Sequence, residues 1–104
     1  MPYSLILCNT ASKEEAHTIA RHLVENRLAA CVNIIENAGS VYLWEDQLCE
    51  EKEFQLLIKS KTNLYPEIES AILSLHSYKV PEIICLPMEK GLTSYFSWID
   101  ANTI

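Results

Sequence analysis

Between positions 74 and 84 the chain reads Ser-Leu-His-Ser-Tyr-Lys-Val-Pro-Glu-Ile-Ile, placing the imidazole of His76, the phenol of Tyr78, the ammonium of Lys79 and the carboxylate of Glu82 close together in sequence. Pro81 forbids continuation of a helix and pushes Val80 into extended geometry. These groups therefore stand at a helix-to-strand corner, the kind of place where rigid scaffolds display function. An imidazole there is a ligand type for soft or borderline cations, and its natural complement is a thiolate. Cys8, near the end of an apolar N-terminal run, supplies a thiol. Spacing alone does not bring Cys8 to His76. The plain alternative is a packed thiol and a hydrogen-bonded corner histidine.

A second set comprises Glu53, Lys59, Tyr78 and Glu82, whose charged members interrupt apolar strand-like runs. Buried charges must be paired. The four groups read either as a salt-bridged network at a subunit interface or as a polar pocket between subunits. Such a pocket would take a small anion or metabolite, with Lys59 holding the anion and Tyr78 donating a hydrogen bond. Residues 44–53 carry five carboxylates in ten positions. Strand alternation divides them between two faces, and calcium-loop spacing is absent, so they read as a solvated tip. His17 and His22 are not i,i+4 partners and read as solvated. No nucleophile–base motif, phosphate loop or dinucleotide fingerprint is present, so no catalysis is expected.

The elements that must position these groups follow from periodicity. Residues 3–10 read as a buried strand. Ser12-Lys13-Glu14-Glu15 has the form of a capping box, with Ser12 accepting from the helix start and Glu15 reaching back. Ala16, Ile19, Ala20, Leu23 and Val24 make one helical stripe that ends near Arg27. Residues 29–45 are rich in strand formers, broken at Asn37-Ala38-Gly39 by a bulge or bend, and turn near Asp46-Gln47 into a partner strand over 48–61. Asn63 is placed to cap a second helix with Pro66 in its first turn and Leu64, Ile68, Ala71, Ile72 and Leu75 on its buried face. A fourth strand follows over 80–88. After Gly91, Thr93 is placed to cap a short helix carrying Tyr95, Trp98 and Ile99. The order βαββαβ plus a helix predicts an α+β, ferredoxin-like sandwich with an extended hairpin. The 17 residues from Ala29 to Glu45 span about 55 Å if extended, against roughly 33 Å for a compact domain of 104 residues. The arm must bend or overhang, exposing Val41, Tyr42, Leu43, Trp44 and Leu48 and inviting an oligomer.

With 104 residues the chain suffices for one domain, residues 1–104. Its net charge of -6 argues against a nucleic-acid partner. No window reaches the roughly 18 unbroken apolar residues of a membrane span. The N-terminus reads as a strand, not a signal peptide. Cys8, Cys31, Cys49 and Cys85 lack CxxC spacing and read as reduced thiols, three of them inside apolar strands. A cytoplasmic protein is expected.

Five blocks resemble the CutA family of divalent-cation tolerance proteins, and they occur in that family's order. They are Leu28–Ile34, Ser40–Glu45, Glu53–Lys59, the His76–Glu82 corner and Tyr95–Ile99. The resemblance implies the ferredoxin-like fold, a homotrimer with hairpins pairing across subunits, and a role in the response to metal ions. It also implies copper binding, with Cys8 and His76 on the positions of the family's first-strand cysteine and corner histidine. The chain departs from the family at Leu75, where some members have a second histidine, and at Ser77 and Lys79, where proline and glutamate or glutamine are favoured. It also has Asp46 at a turn position commonly occupied by glycine. Two rival readings remain. One is a PII-like trimeric signalling module binding a small molecule between subunits. The other is an acylphosphatase-like enzyme, which needs an arginine in a phosphate-cradling loop, whereas Arg21 and Arg27 both fall in the first helix.

Overall fold

A computed structural model describes residues 1–104. Alternation of buried and half-exposed side chains makes Tyr3–Thr10 a strand, β1. Helix α1 spans Lys13–Glu25 and buries Ala16, Ile19, Ala20 and Leu23. Val24, expected on that stripe, is 41% exposed. Strands β2, Cys31–Trp44, and β3, Gln47–Lys61, form the long hairpin. Helix α2 spans Tyr65–Leu75 and buries Ile68 and Ile72. Strand β4 is Ile83–Pro87, and helix α3 is Thr93–Ala101.

The four strands form one antiparallel sheet in the order β2-β3-β1-β4. With both long helices on one face this is the expected α+β ferredoxin-like arrangement. Even-numbered residues of β1 and β3, namely Ile6, Cys8, Leu56 and Ile58, meet Ile19, Leu23, Ile68 and Ile72 in the core. The period-2 alternation sends their odd-numbered neighbours to the other face. No helix is long and apolar enough to cross a membrane.

The hairpin overhangs. The molecule measures 44 Å along its longest axis and 25 and 22 Å across. Val41, Leu43, Trp44 and Leu48 are exposed on the arm, whereas Tyr42 is half-buried against it. The expected irregularity falls between Ile35 and Ala38. Its left-handed residue is Asn37, at φ 59°, so a side-chain amide rather than Gly39 bears the bend.

Local details depart from the sequence expectations at three helix starts or strand ends. Asn63 does not cap α2: a 3₁₀ turn over Thr62–Leu64 leads directly into it, and the N-cap residue is Leu64, which makes no side-chain capping bond. Thr93 is the first residue of α3 rather than its cap, and Leu92 precedes it. Strand β4 begins at Ile83, three residues later than expected, because it pairs only with β1 opposite Ser4–Cys8.

Candidate functional site

His76 follows α2 as its C-terminal cap residue, and its backbone N–H donates to the Ile72 carbonyl. Its imidazole is wholly enclosed. The Tyr78 backbone N–H donates to Nδ1 at 3.0 Å, and the ring's Nε2 lies 2.6 Å from the Asn9 carbonyl oxygen. A backbone amide can only donate and a carbonyl can only accept, so the ring is the neutral tautomer protonated at Nε2. The Cys8 Sγ lies 3.8 Å from the same Asn9 oxygen. One backbone carbonyl thus brings together the thiol and imidazole that sequence spacing left apart.

The donor chemistry of the pair is masked. Burial pushes the Cys8 thiol up to about 12, with Glu82, Glu15 and Glu53 adding to the effect. Both nitrogens of His76 are engaged. No three His, Cys, Asp or Glu side chains come together as a metal centre within the chain. Cys8 and His76 therefore share one backbone carbonyl without belonging to any group of three such side chains.

Glu15 holds the corner to α1. Ser12 Oγ accepts from the Glu15 backbone N–H, as a capping box requires. The Glu15 carboxylate does not reach back, however. Its oxygens accept from the Ser77 N–H at 2.8 Å and the Ser77 hydroxyl at 3.2 Å, and one lies 3.8 Å from His76 Nδ1. A tertiary pair of donors outcompetes the local one. The pattern Ser-x-x-Glu explains the cap and carries no signal of this second role.

Between the corner and the hairpin arm lies a cleft of about 700 Å³. Tyr42, Trp44 and Tyr78 supply its aromatic surfaces, and Glu51, Glu53, Glu82 and Lys79 its charges. Glu53 is buried, at 4% exposure, and its Oε2 accepts from the Tyr78 hydroxyl at 2.6 Å. Burial and this bond to Glu53 together raise the Tyr78 pKa. Asn9 also lines the cleft, and its side-chain Oδ1 is buried without a hydrogen-bond partner.

The structure thus brings together Tyr78, Glu82 and Glu53 of the second sequence-derived set. Lys59 does not join them. It lies six residues along β3 from Glu53, about 20 Å of strand, and donates to the Asn33 side chain on β2. Within one chain the cleft therefore lacks the expected anion-holding lysine. Asn9, Glu15 and Glu51 escaped sequence reasoning as site residues. The one available signal was Asn9, a polar residue directly after the apolar run Leu5–Cys8 of β1.

The family model described as "CutA1 divalent ion tolerance protein" matches residues 4–102. The Divalent-cation tolerance protein CutA of Thermus thermophilus is 42% identical over 99 residues, covering 95% of this chain and 96% of its own. Its solved structure superposes with a TM-score of 0.93 over 97% of this chain and 98% of its own. CutA from Xylella fastidiosa is 33% identical, with a TM-score of 0.96 and complete coverage of both chains. The periplasmic divalent cation tolerance protein CutA of Archaeoglobus fulgidus is 35% identical in its solved structure, with a TM-score of 0.93 over 96% of this chain and 97% of its own.

Proposed function

Because the chain belongs to the CutA1 divalent ion tolerance family, we propose that it acts without catalysis in tolerance of, and response to, divalent metal ions, chiefly copper. The match across residues 4–102 carries the divalent-cation reading. The copper assignment rests on Cys8 and His76 meeting at the Asn9 carbonyl, since a thiolate and an imidazole suit copper better than hard cations. Copper would have to displace the Cys8 proton and free a ring nitrogen of His76, so binding is accompanied by proton release and weakens as pH falls. Further donors must come from outside this pair.

The unit is residues 1–104 as one domain, and the assembly is a homotrimer in which the overhanging hairpin covers its apolar residues against neighbouring subunits. The open face of the sheet supports this assembly, since Ile35, Ile84 and Leu86 are all more than two-fifths exposed there. The four free cysteines favour a reducing cytoplasmic compartment. Neither nucleic acid nor membrane is a partner.

Copper titration calorimetry of wild type, Cys8→Ser and His76→Ala tests the site. A loss of affinity of at least tenfold, about 1.4 kcal/mol, is expected in each variant. Unchanged affinity in both, with assembly intact, removes the site and leaves the family assignment. The second reading, a PII-like module binding a small molecule between subunits, is favoured by the cleft at Tyr78 and Glu82. In that reading Lys59 would have to reach the ligand from another subunit. Titration with Cu(I), Cu(II), Zn(II) and a nucleotide panel separates the two: stoichiometric copper favours metal handling, and nucleotide binding favours signalling.

A further inference from the structure

We propose that Glu15 is the positioning residue of His76: its carboxylate accepts the ring proton at Nδ1 when Nε2 is given to copper. This role rests on the copper reading above and adds no ligand to it. Cys8 Sγ and His76 Nε2 both point to the Asn9 carbonyl oxygen, at 3.8 and 2.6 Å. An ion shared by the two side chains therefore takes Nε2, the nitrogen on the Cys8 side of the ring. Without the ion that nitrogen carries the ring proton, and Nδ1 accepts from the Tyr78 N–H at 3.0 Å. A neutral imidazole has one N–H. Giving up Nε2 moves the ring proton to Nδ1, so the ring keeps its proton count, and the Cys8 proton leaves to solvent. The Tyr78 N–H cannot accept the relocated proton. Nδ1–H needs another partner.

A metal-bound histidine donates its second N–H to a carboxylate, a backbone carbonyl or water, which fixes the ring and raises its basicity. Glu15 is the carboxylate in ion-pair contact with this ring, its Oε2 lying 3.8 Å from Nδ1. It is aimed there from two sides. Glu15 stands in the first turn of α1, where Ser12 caps its backbone N–H. Its Oε1 accepts from the Ser77 N–H at 2.8 Å, and its Oε2 from the Ser77 hydroxyl at 3.2 Å. The oxygen nearer the ring thus carries only the longer bond, to a rotatable hydroxyl, and has acceptor capacity left. The Glu15 side chain is 15% exposed and the ring is wholly enclosed, so little water competes. Closing to hydrogen-bond distance takes a shift of about 1 Å, which rotation about the Glu15 side-chain bonds supplies.

Cu(I) is diamagnetic, so NMR of the ring nitrogens reads the tautomer of His76 in the assembled protein with and without the ion. The other histidines, His17 and His22, are removed from the spectrum by His17→Gln and His22→Gln. Wild type is expected to show Nε2–H without copper, and with copper Nδ1–H in slow exchange with water. Calorimetry with Cu(I) is expected to show a loss of at least about tenfold in affinity in Glu15→Ala, with the Nδ1 proton now exchanging fast. Alanine is a good helix former and Ser12 still caps α1, so this variant keeps its fold, which its metal-free Tm checks. Glu15→Gln keeps an acceptor oxygen without the charge and is expected to restore most of the affinity and the slow exchange. Copper on Nδ1 with Nε2 still protonated overturns the proposal, and the wild-type spectrum alone shows this. Unchanged affinity in Glu15→Ala also overturns it, as does a Glu15→Gln protein as weak as Glu15→Ala, which assigns the effect to charge. Each of these leaves the copper reading standing, whereas a wild type that binds no copper overturns both.

Discussion

The hydroxyl of Tyr78 is the single donor that satisfies the buried carboxylate of Glu53. Tyr78→Phe keeps the ring and removes that donor, so it is expected to cost about 1–3 kcal/mol, the penalty of leaving a buried acceptor unpaired. Urea unfolding at neutral pH measures it, and a cost below about 0.5 kcal/mol would mean that Glu53 finds water instead. Cys8 makes a prediction of opposite pH sense to an acid transition. Its folded thiol holds its proton until about 12, against an ordinary value near 9.0. Between those values the unfolded state has lost the proton and the native state has kept it. Stability from this group is therefore complete below pH 9 and declines as pH rises toward 12, by up to about 1.4 kcal/mol per unit. In Cys8→Ala the baseline drops, but this alkaline decline should disappear from the denaturation curves. A decline of unchanged slope would assign it to other groups.

At the scale of elements, the hairpin turn and the approach to α3 each expose one strained or crowded backbone position. Trp44 pairs with Gln47, so Glu45 and Asp46 form a two-residue turn, and both have positive φ, 51° and 64°. That geometry is a type I′ turn, which favours Asn-Gly. Asp46→Gly is expected to stabilise the fold by about 0.5–1 kcal/mol, the left-handed strain relieved less the added freedom of glycine in the unfolded chain. A calorimetric Tm unchanged or lowered would show that Asp46 contributes a contact worth more than the strain. Gly91 behaves oppositely. A Cβ there would lie 2.6 Å from the Phe96 ring, which is itself stacked on Tyr3 at 4.4 Å between centroids. Gly91→Ala is expected to cost about 1–3 kcal/mol by overpacking. Phe96→Leu should relieve part of that cost if the ring is the cause.

For the whole molecule, the arm and the open sheet face leave more apolar surface in water than a lone chain retains comfortably. Burying each large side chain gains roughly 1.5–3 kcal/mol, and Val41, Leu43, Trp44 and Leu48 are all exposed on one hairpin. Sedimentation at micromolar concentration is expected to give a trimer. Trp44→Ala should shift it toward smaller species more than His17→Ala does. A well-folded monomer at those concentrations would refute the assembly.

Pattern along the chain was enough to determine the order βαββαβ plus a helix, the core stripe of α1 except for Val24, the bulge before Ala38 and the overhang of the arm, because each depends on local periodicity or on length. The family blocks also lay in the open. Strand and helix ends were less legible: the cap of α2 and the start of β4 depend on what the neighbouring strand offers, not on the residue at the boundary. The site was legible only in part. His76, Tyr78, Glu82 and Cys8 stand out by type, yet only the packing of α2 against β1 brings Cys8 and His76 to one carbonyl. Only the tertiary approach of the hairpin arm to the corner makes a cleft that includes Glu53 and Asn9 and excludes Lys59. Such contacts join residues many positions apart. They are decided by how the sheet twists and which donors remain unpaired when the core closes, and no local pattern records that.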